Sequence, residues 1–296
     1  MISIAMTTYN GDKYLREQID SILVQTIQDF ELIVCDDCST DSTVEILEEY
    51  QQNDKRIKVY RNDSNLGFKK NFEKAISLCN GEYIALSDQD DIWMPNHLEI
   101  LKKAIKDNVL VCGNAELVDK KGESLGTTFW EQEAFDSVPS SNLGKAMSIL
   151  LFRGSYQGAA MMIKRNIVKT ALPIPEKYTF HDSWLALVAC FSGGIACVDI
   201  PILKYRRIEE SVTGMRKRKR SRFYQHFNHI IWSDKLDAIK ALNDRLSTLT
   251  KKEKKFLKKM ERMCIRNNTT KGKWLNFIYK TIHYKTIYNS TLESWK

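Results

Sequence analysis

The sequence predicts an α/β protein: a mostly parallel sheet flanked by helices, followed by a C-terminal α-helical module. Three observations carry this prediction. Short apolar runs alternate with longer segments of 3.6-residue period through the first 110 residues, the rhythm of strand–helix–strand units. Turn and capping residues mark the changes of period. After Gly214 the pattern is entirely helical and strongly basic.

The elements follow in order. Residues 2–6, 30–35, 57–60, 83–86 and 109–112 are short apolar runs and are expected to be strands. Helices are expected to begin near Lys13, Asp41, Gly67 and Pro95, with Ser39-Thr40-Asp41-Ser42 supplying capping groups and Pro95 suiting a first helical turn. From residue 113 the rhythm loosens, with loop signals at Lys121-Gly122 and Val138-Pro139-Ser140-Ser141. A strand-like segment at 158–163 and a helix-like one at 181–191 should complete the sheet and build a second binding wall. Farther on, Phe223, Phe227, Ile230, Ile231, Trp232, Leu236, Ile239, Leu242, Leu246 and Leu249 keep helical spacing. The expected division is a catalytic domain over 1–213, with halves at 1–112 and 113–213, and a helical module over 214–296.

Composition narrows the functional classes. The chain has 296 residues, 43% of them hydrophobic, which is globular composition rather than disorder. Its net charge of +8 is unevenly spread: residues 214–296 hold 22 Lys and Arg against 6 Asp and Glu, so the body before them is acidic. Seven cysteines scattered through apolar stretches argue against a disulfide framework and for a reducing compartment. Cys35 and Cys38 spell C-x-x-C, but the intervening Asp36 and Asp37 disfavour a thiolate, so the spelling is read as coincidental. The first residues form a strand without a basic leader, and the apolar stretch 185–203 is broken by Gly193-Gly194, Asp199 and Pro201. A cytoplasmic protein without a membrane span is expected.

Three polar clusters fall at the ends of predicted strands, where ligands bind in open parallel sheets. They are Thr7-Thr8-Tyr9-Asn10-Gly11, Asp36-Asp37-Cys38-Ser39-Thr40-Asp41 and Ser87-Asp88-Gln89-Asp90-Asp91. In the third, three carboxylates within four residues repel one another, and a hard divalent cation would relieve the repulsion while leaving positions for substrate phosphates. In the second, an acid just after a buried strand suits either a nucleoside hydrogen bond or the capping of the next helix, with Asp36 turned to the ligand and Ser39 or Asp41 capping. The chain has neither a G-x-G-x-x-G after the first strand nor a G-x-x-x-x-G-K-[ST] anywhere, which counts against a dinucleotide fold and a P-loop NTPase.

Together with Asn65-Leu66-Gly67 and the Ile92-Trp93 that follows the third cluster, these motifs resemble the family 2 glycosyltransferases of the GT-A fold. Ser87 to Trp93 resembles especially the rhamnosyltransferase-like branch of bacterial surface polysaccharide synthesis. The resemblance implies that Thr7, Thr8, Tyr9, Asn10 and Asp36 hold a nucleotide, that Asp88 and Asp90 form the D-x-D motif, with Asp88 binding the nucleotide near its ribose, and that Asp90 takes the metal, Mg²⁺ or Mn²⁺. It implies that Asp182, in His181-Asp182-Ser183-Trp184, is the catalytic base. Asp91, Trp93, His181, Trp184, Arg206 and Arg207 are expected to contact the diphosphate or the acceptor. Relatives carry a histidine where this chain has Ile208, so Arg206 or Arg207 is expected to meet phosphate oxygens instead. Arg153 and Gln157-Gly158 fall where relatives line the acceptor cleft, and a buried strand entry accounts for them equally well.

The implied donor is dTDP-rhamnose or a UDP-hexose, and the implied acceptor a glycan or lipid-linked glycan. Arg216-Lys217-Arg218-Lys219-Arg220-Ser221-Arg222 is followed by the aromatics Phe223 and Tyr224, and farther on Trp274, Phe277, Ile278, Ile282, Tyr284 and Tyr288 mix with Lys271, Lys273, Lys280 and Lys285. That pattern suits peripheral attachment to an anionic membrane, or a homo-oligomer contact. A nucleic-acid binder using this tail is the competing class, but it leaves the acidic clusters unexplained. A nucleotidyltransferase ranks third, because the loop after the first strand lacks a cation.

Overall fold

The computed structural model describes residues 1–133, 141–152, 156–208 and 232–267. The expected loop at Val138-Pro139-Ser140, Arg153, the segment 209–214, the basic run 216–222, and the aromatics at 223–231 and 274–288 lie outside the described residues.

The elements run β1 (Ile2–Thr8), α1 (Asp12–Leu23), β2 (Phe30–Asp36), α2 (Thr43–Asn53), β3 (Ile57–Arg61), α3 (Phe68–Leu78), β4 (Tyr83–Ser87), β5 (Ile92–Trp93), α4 (His97–Ile105), β6 (Leu110–Val118) and β7 (Ser124–Thr128). They continue with α5 (Phe129–Glu133), α6 (Asn142–Phe152), a 3-10 turn (Gly158–Ala160), β8 (Met161–Lys164), α7 (Val168–Ala171), α8 (His181–Ser192), β9 (Ile195–Arg206), α9 (Trp232–Arg245) and α10 (Lys251–Asn267).

The strands form one sheet in the order β3-β2-β1-β4-β8-β6-β9-β5, with β7 on β6. β3, β2, β1 and β4 are parallel, as the alternating rhythm predicts. β1 and β2 are buried along their whole length, which is why they read as continuous apolar runs rather than alternating ones. The other half is mixed. β8 runs antiparallel to both β4 and β6, and β5 antiparallel to β9. Strand direction follows from how the chain returns to the sheet, and that is not written in the apolar pattern of β8 itself.

Two local expectations are corrected. Pro95 precedes α4 instead of opening it: Asn96 is the N-cap, and the Pro95 carbonyl accepts a bond from Thr26 N at 2.8 Å. The strand expected over 158–163 begins only at Met161, after a 3-10 turn. The capping expected of Asp41 is present: Ser42 sits at the N-cap of α2 without a side-chain cap bond, and Asp41 Oδ1 accepts from Thr43 N at 3.0 Å.

α1 buries Leu15, Ile19 and Ile22 on one face, and α3 packs against β1 and β2. α8 is buried almost throughout, from His181 to Phe191. α9 and α10 bury Ala238, Ile239, Leu242, Phe256, Leu257, Met260 and Cys264 in the same core as the sheet. Polar contacts fasten them: Arg245 Nη1 donates to the carbonyls of Thr170, Ala171 and Pro173, and Thr179 Oγ1 donates to Asp234 Oδ2 at 3.0 Å. The seven cysteines are unpaired, and burial pushes the Cys35 thiol up to about 11, which disfavours its thiolate. Among the described residues no helix is long and apolar enough to cross a membrane.

Candidate active site

Parallel register sets the frame. Thr8 pairs with Asp36 across β1 and β2, and Met6 with Ser87 across β1 and β4, so the three polar clusters leave the same edge of the sheet. They are then laced together. Thr8 Oγ1 donates to Asp36 Oδ1 at 3.0 Å, and Ser39 donates its N–H to Oδ2 at 3.0 Å and its hydroxyl to Oδ1 at 2.5 Å. Asp36 is fully buried with both oxygens taken, which corrects the expectation that it turns outward: it fixes two loops. Asn10, at φ +47°, donates N–H to Ser39 Oγ at 2.9 Å and accepts from Thr40 N at 2.8 Å. Thr7 is buried at the strand end and Tyr9 is half exposed.

Two residues outside the expected set complete this frame. Asp37 accepts from Asn62 Nδ2 and Leu66 N at 2.7 Å each and from Gly67 N at 2.8 Å, which ties the Asn65-Leu66-Gly67 loop beneath β2. Gln89 pairs with the backbone of Tyr9 like a strand neighbour, its Oε1 accepting from Tyr9 N at 2.8 Å and its Nε2 donating to Tyr9 O at 3.0 Å. A Cβ at Gly11 would lie 2.3 Å from Gln89 Oε1, so any larger residue there would displace the Gln89 amide from its pairing with Tyr9. The signal was a lone amide among acids and a glycine after the first strand.

The acidic loop after β4 places Asp88 and Asp90 half-buried and Asp91 fully buried. Burial, then the charges of Asp90 and Asp182, push the Asp88 carboxyl up to about 7. Burial also raises Asp90, against the pull of Arg206. Asp91 is raised well above the carboxylate range by burial and by both neighbours, and its Oδ2 has no hydrogen-bond partner. Among the described residues no three His, Cys, Asp or Glu side chains are gathered as a complete metal cage. A cluster of hard oxygens with unanswered charge fits a cation held by one or two carboxylates, which takes its remaining ligands from water and phosphate.

Arg206, at the end of β9, is the internal counterion of this loop. Its N–H donates to Asp91 Oδ1 at 3.2 Å, its Nε to the Asp90 carbonyl at 2.9 Å, its Nη1 to the Lys120 carbonyl at 3.0 Å and its Nη2 to Glu17 at 2.5 Å, while the guanidinium lies over the Tyr14 ring. It is buried, which corrects its expected contact with diphosphate. Arg207 donates to Gln132 and lies over Tyr205, and Ile208 is buried. Trp93 is buried and stacks on His97 with ring centroids 3.9 Å apart, so it supports the loop from below and does not reach a ligand. Asp91 is likewise fully buried, with Oδ1 held by the Arg206 N–H and Oδ2 unbonded.

Facing this loop is the N-terminus of α8. Asp182 is half-buried there, its Oδ1 accepting from Ser183 N at 2.5 Å, and its charge reaches Asp88. His181 stacks on Phe72 at 3.9 Å, and burial lowers its basicity. The backbone of Gly158 closes in on this pair: a Cβ there would lie 3.0 Å from His181 Nε2 and 3.6 Å from Asp182 Cβ. Trp184 is fully buried, donating to the Ala171 carbonyl at 2.7 Å, which corrects its expected place in an acceptor pocket.

A mixed α/β sheet flanked by helices, with three polar loops leaving one edge, is the architecture of the GT-A fold. The model for glycosyl transferase family 2 matches residues 3–163. An uncharacterized glycosyltransferase of Methanocaldococcus jannaschii is 30% identical over 244 residues, 79% of this chain and 80% of that protein. In fold, the chain matches Staphylococcus aureus TarS 1-349 in complex with UDP-GlcNAc, with TM-score 0.61, 18% identity, and 90% of this chain and 71% of that one covered. It also matches the mannosyltransferase PcManGT from Pyrobaculum calidifontis in complex with GDP-Man and Mn²⁺, with TM-score 0.54, 15% identity, and coverage of 99% and 84%. The chain belongs to glycosyl transferase family 2.

Proposed function

We propose that the protein transfers rhamnose or a hexose from a nucleoside diphosphate to a glycan or lipid-linked glycan, with inversion, in the building of a bacterial surface polysaccharide. The observation that carries this reading is the place of Asp182 at the start of α8, against the Gly158 turn that packs on β4, the strand leading into the acidic loop. Family membership supplies the class of reaction, and the nucleotide sugars in TarS and PcManGT support the donor class.

In this reading Asp182 accepts the proton of an acceptor hydroxyl as that oxygen attacks the anomeric carbon from the face opposite the diphosphate. Single displacement inverts the centre and needs no protein nucleophile. Thr7, Thr8, Tyr9, Asn10 and the strand-end loops receive the nucleotide, with Asp88 on its ribose side. Asp90 would hold a Mg²⁺ or Mn²⁺ ion, which supplies positive charge for the diphosphate leaving group. Arg206 and Gln89 keep the loop in place. Peripheral attachment at the inner face of the membrane belongs to the same reading, supported by the basic tail and by the exposed Lys251, Lys252, Lys254, Lys255, Lys258 and Arg262 of α10.

Thermal-shift titration with dTDP, UDP, GDP and ADP, each with and without Mn²⁺, tests the donor half. A ligand that binds only the folded state raises its melting temperature. A Mn²⁺-dependent rise with dTDP or UDP that disappears in Asp90→Ala is expected, and no rise with any nucleotide contradicts the reading.

A further inference from the structure

Two side chains beside the proposed base are buried and entirely unbonded. Gln157 is 7% exposed, and neither its Oε1 nor its Nε2 has a partner. His181 is 8% exposed, and neither ring nitrogen has one. Other buried polar side chains with two such atoms keep at least one bond: Gln18 donates to Ser87, His97 bonds to the Ile202 carbonyl, and Asp91 accepts from Arg206. A buried amide without hydrogen bonds carries the cost of its lost hydration, and native structures rarely leave a whole side chain in that state.

Position says what would meet them. Gln157 opens the 3-10 turn that packs on β4, the strand leading to Asp88, and the next residue, Gly158, lies flush against His181 and Asp182. One side of this turn therefore packs on the strand that leads into the loop assigned to the donor's nucleotide, and the other adjoins the base assigned to the incoming hydroxyl. In a direct displacement only the ring being transferred is joined to both.

We propose that Gln157, with His181 beside it, hydrogen-bonds the hydroxyls of the transferred glycosyl group and so selects the donor sugar. The proposal rests on the glycosyltransferase reading of the site. Gln157 is a binding residue that a polar, hydroxyl-bearing ring completes, and the free protein carries the cost of leaving it unmet.

The test uses Gln157→Met, which keeps length and flexibility and removes the amide. Melting temperature is measured without ligand, and Kd is measured calorimetrically with Mn²⁺ for UDP, dTDP, UDP-glucose, UDP-galactose, UDP-GlcNAc and dTDP-rhamnose. The free variant is expected to melt no lower than wild type and to bind the bare nucleotide unchanged. It is expected to bind the preferred nucleotide sugar about tenfold more weakly, the worth of one hydrogen bond to a sugar hydroxyl. A lower melting temperature assigns Gln157 a structural role and overturns the proposal. An unchanged nucleotide-sugar Kd beside normal nucleotide binding overturns the proposal alone. Absence of nucleotide binding in the wild type overturns the transferase reading and this inference with it.

Discussion

Asp36 and Asp37 are adjacent, buried and fully hydrogen-bonded, whereas half-buried Asp88 and Asp90 and fully buried Asp91 carry charge that the chain answers only in part. The first pair builds the frame, and the second group waits for positive charge from outside. Sequence reading found both groups because acids after buried strands are costly and therefore informative. It could not divide them, because the divider is which backbone N–H groups the next loop presents. His97 shows the same logic for a base. It is fully buried, stacked on Trp93, with Nδ1–H donating to the Ile202 carbonyl, and burial pushes its pKa down to about 3. Above about 6.5 the imidazole is neutral in both the folded and unfolded chains and its contribution to stability is complete. As pH falls from there toward 3, the unfolded chain takes up a proton that the folded chain refuses, so stability declines by up to about 1.4 kcal/mol per pH unit. Urea denaturation of wild type and His97→Phe across pH 7 to 4 should show a steeper acid loss for the wild type. Parallel declines would place the acid sensitivity elsewhere.

Elements meet the site through a few crossings. The parallel strands β1, β2 and β4 were legible because burial on both faces makes them apolar throughout, and their shared direction puts three loops at one edge. β5 was not legible: Ile92-Trp93 is two residues long and is a strand only because β9 lies antiparallel beside it. Arg206 was misread for a related reason. A basic residue after a strand looks free for phosphate, and only the crossing of β9 over α1 and the acidic loop shows Glu17, Asp90 and Lys120 around it. Arg206→Met should therefore cost about 3 kcal/mol of folding stability, the loss typical of a buried charge network missing one member. Glu17→Gln, at the half-exposed end of the same pair, should cost under about 1 kcal/mol. Chemical denaturation checks the pair, and equal small losses would return Arg206 to ligand binding.

At the scale of the molecule, α9 and α10 share the core of the sheet domain, so the boundary expected near residue 213 marks a change of composition within one packed body among the described residues. Their inward faces stabilise α8, the helix that carries Asp182, through contacts such as Phe191 on Phe256 and Arg245 over Trp184. The outward face of α10 is lysine-rich, and cosedimentation with phosphatidylglycerol vesicles should fall when Lys251, Lys254, Lys255 and Lys258 are changed to Glu, with no change on phosphatidylcholine. Undiminished binding would move the attachment to other parts of the tail. The central claim concerns chemistry between α8 and the acidic loop, and nucleoside diphosphate release from dTDP-rhamnose, UDP-glucose and UDP-galactose with Mn²⁺ tests it most directly. The account predicts release from one of these donors, lowered at least 100-fold in Asp182→Asn, with nucleotide affinity retained, and abolished with affinity in Asp90→Ala. Release that persists undiminished in Asp182→Asn would contradict it.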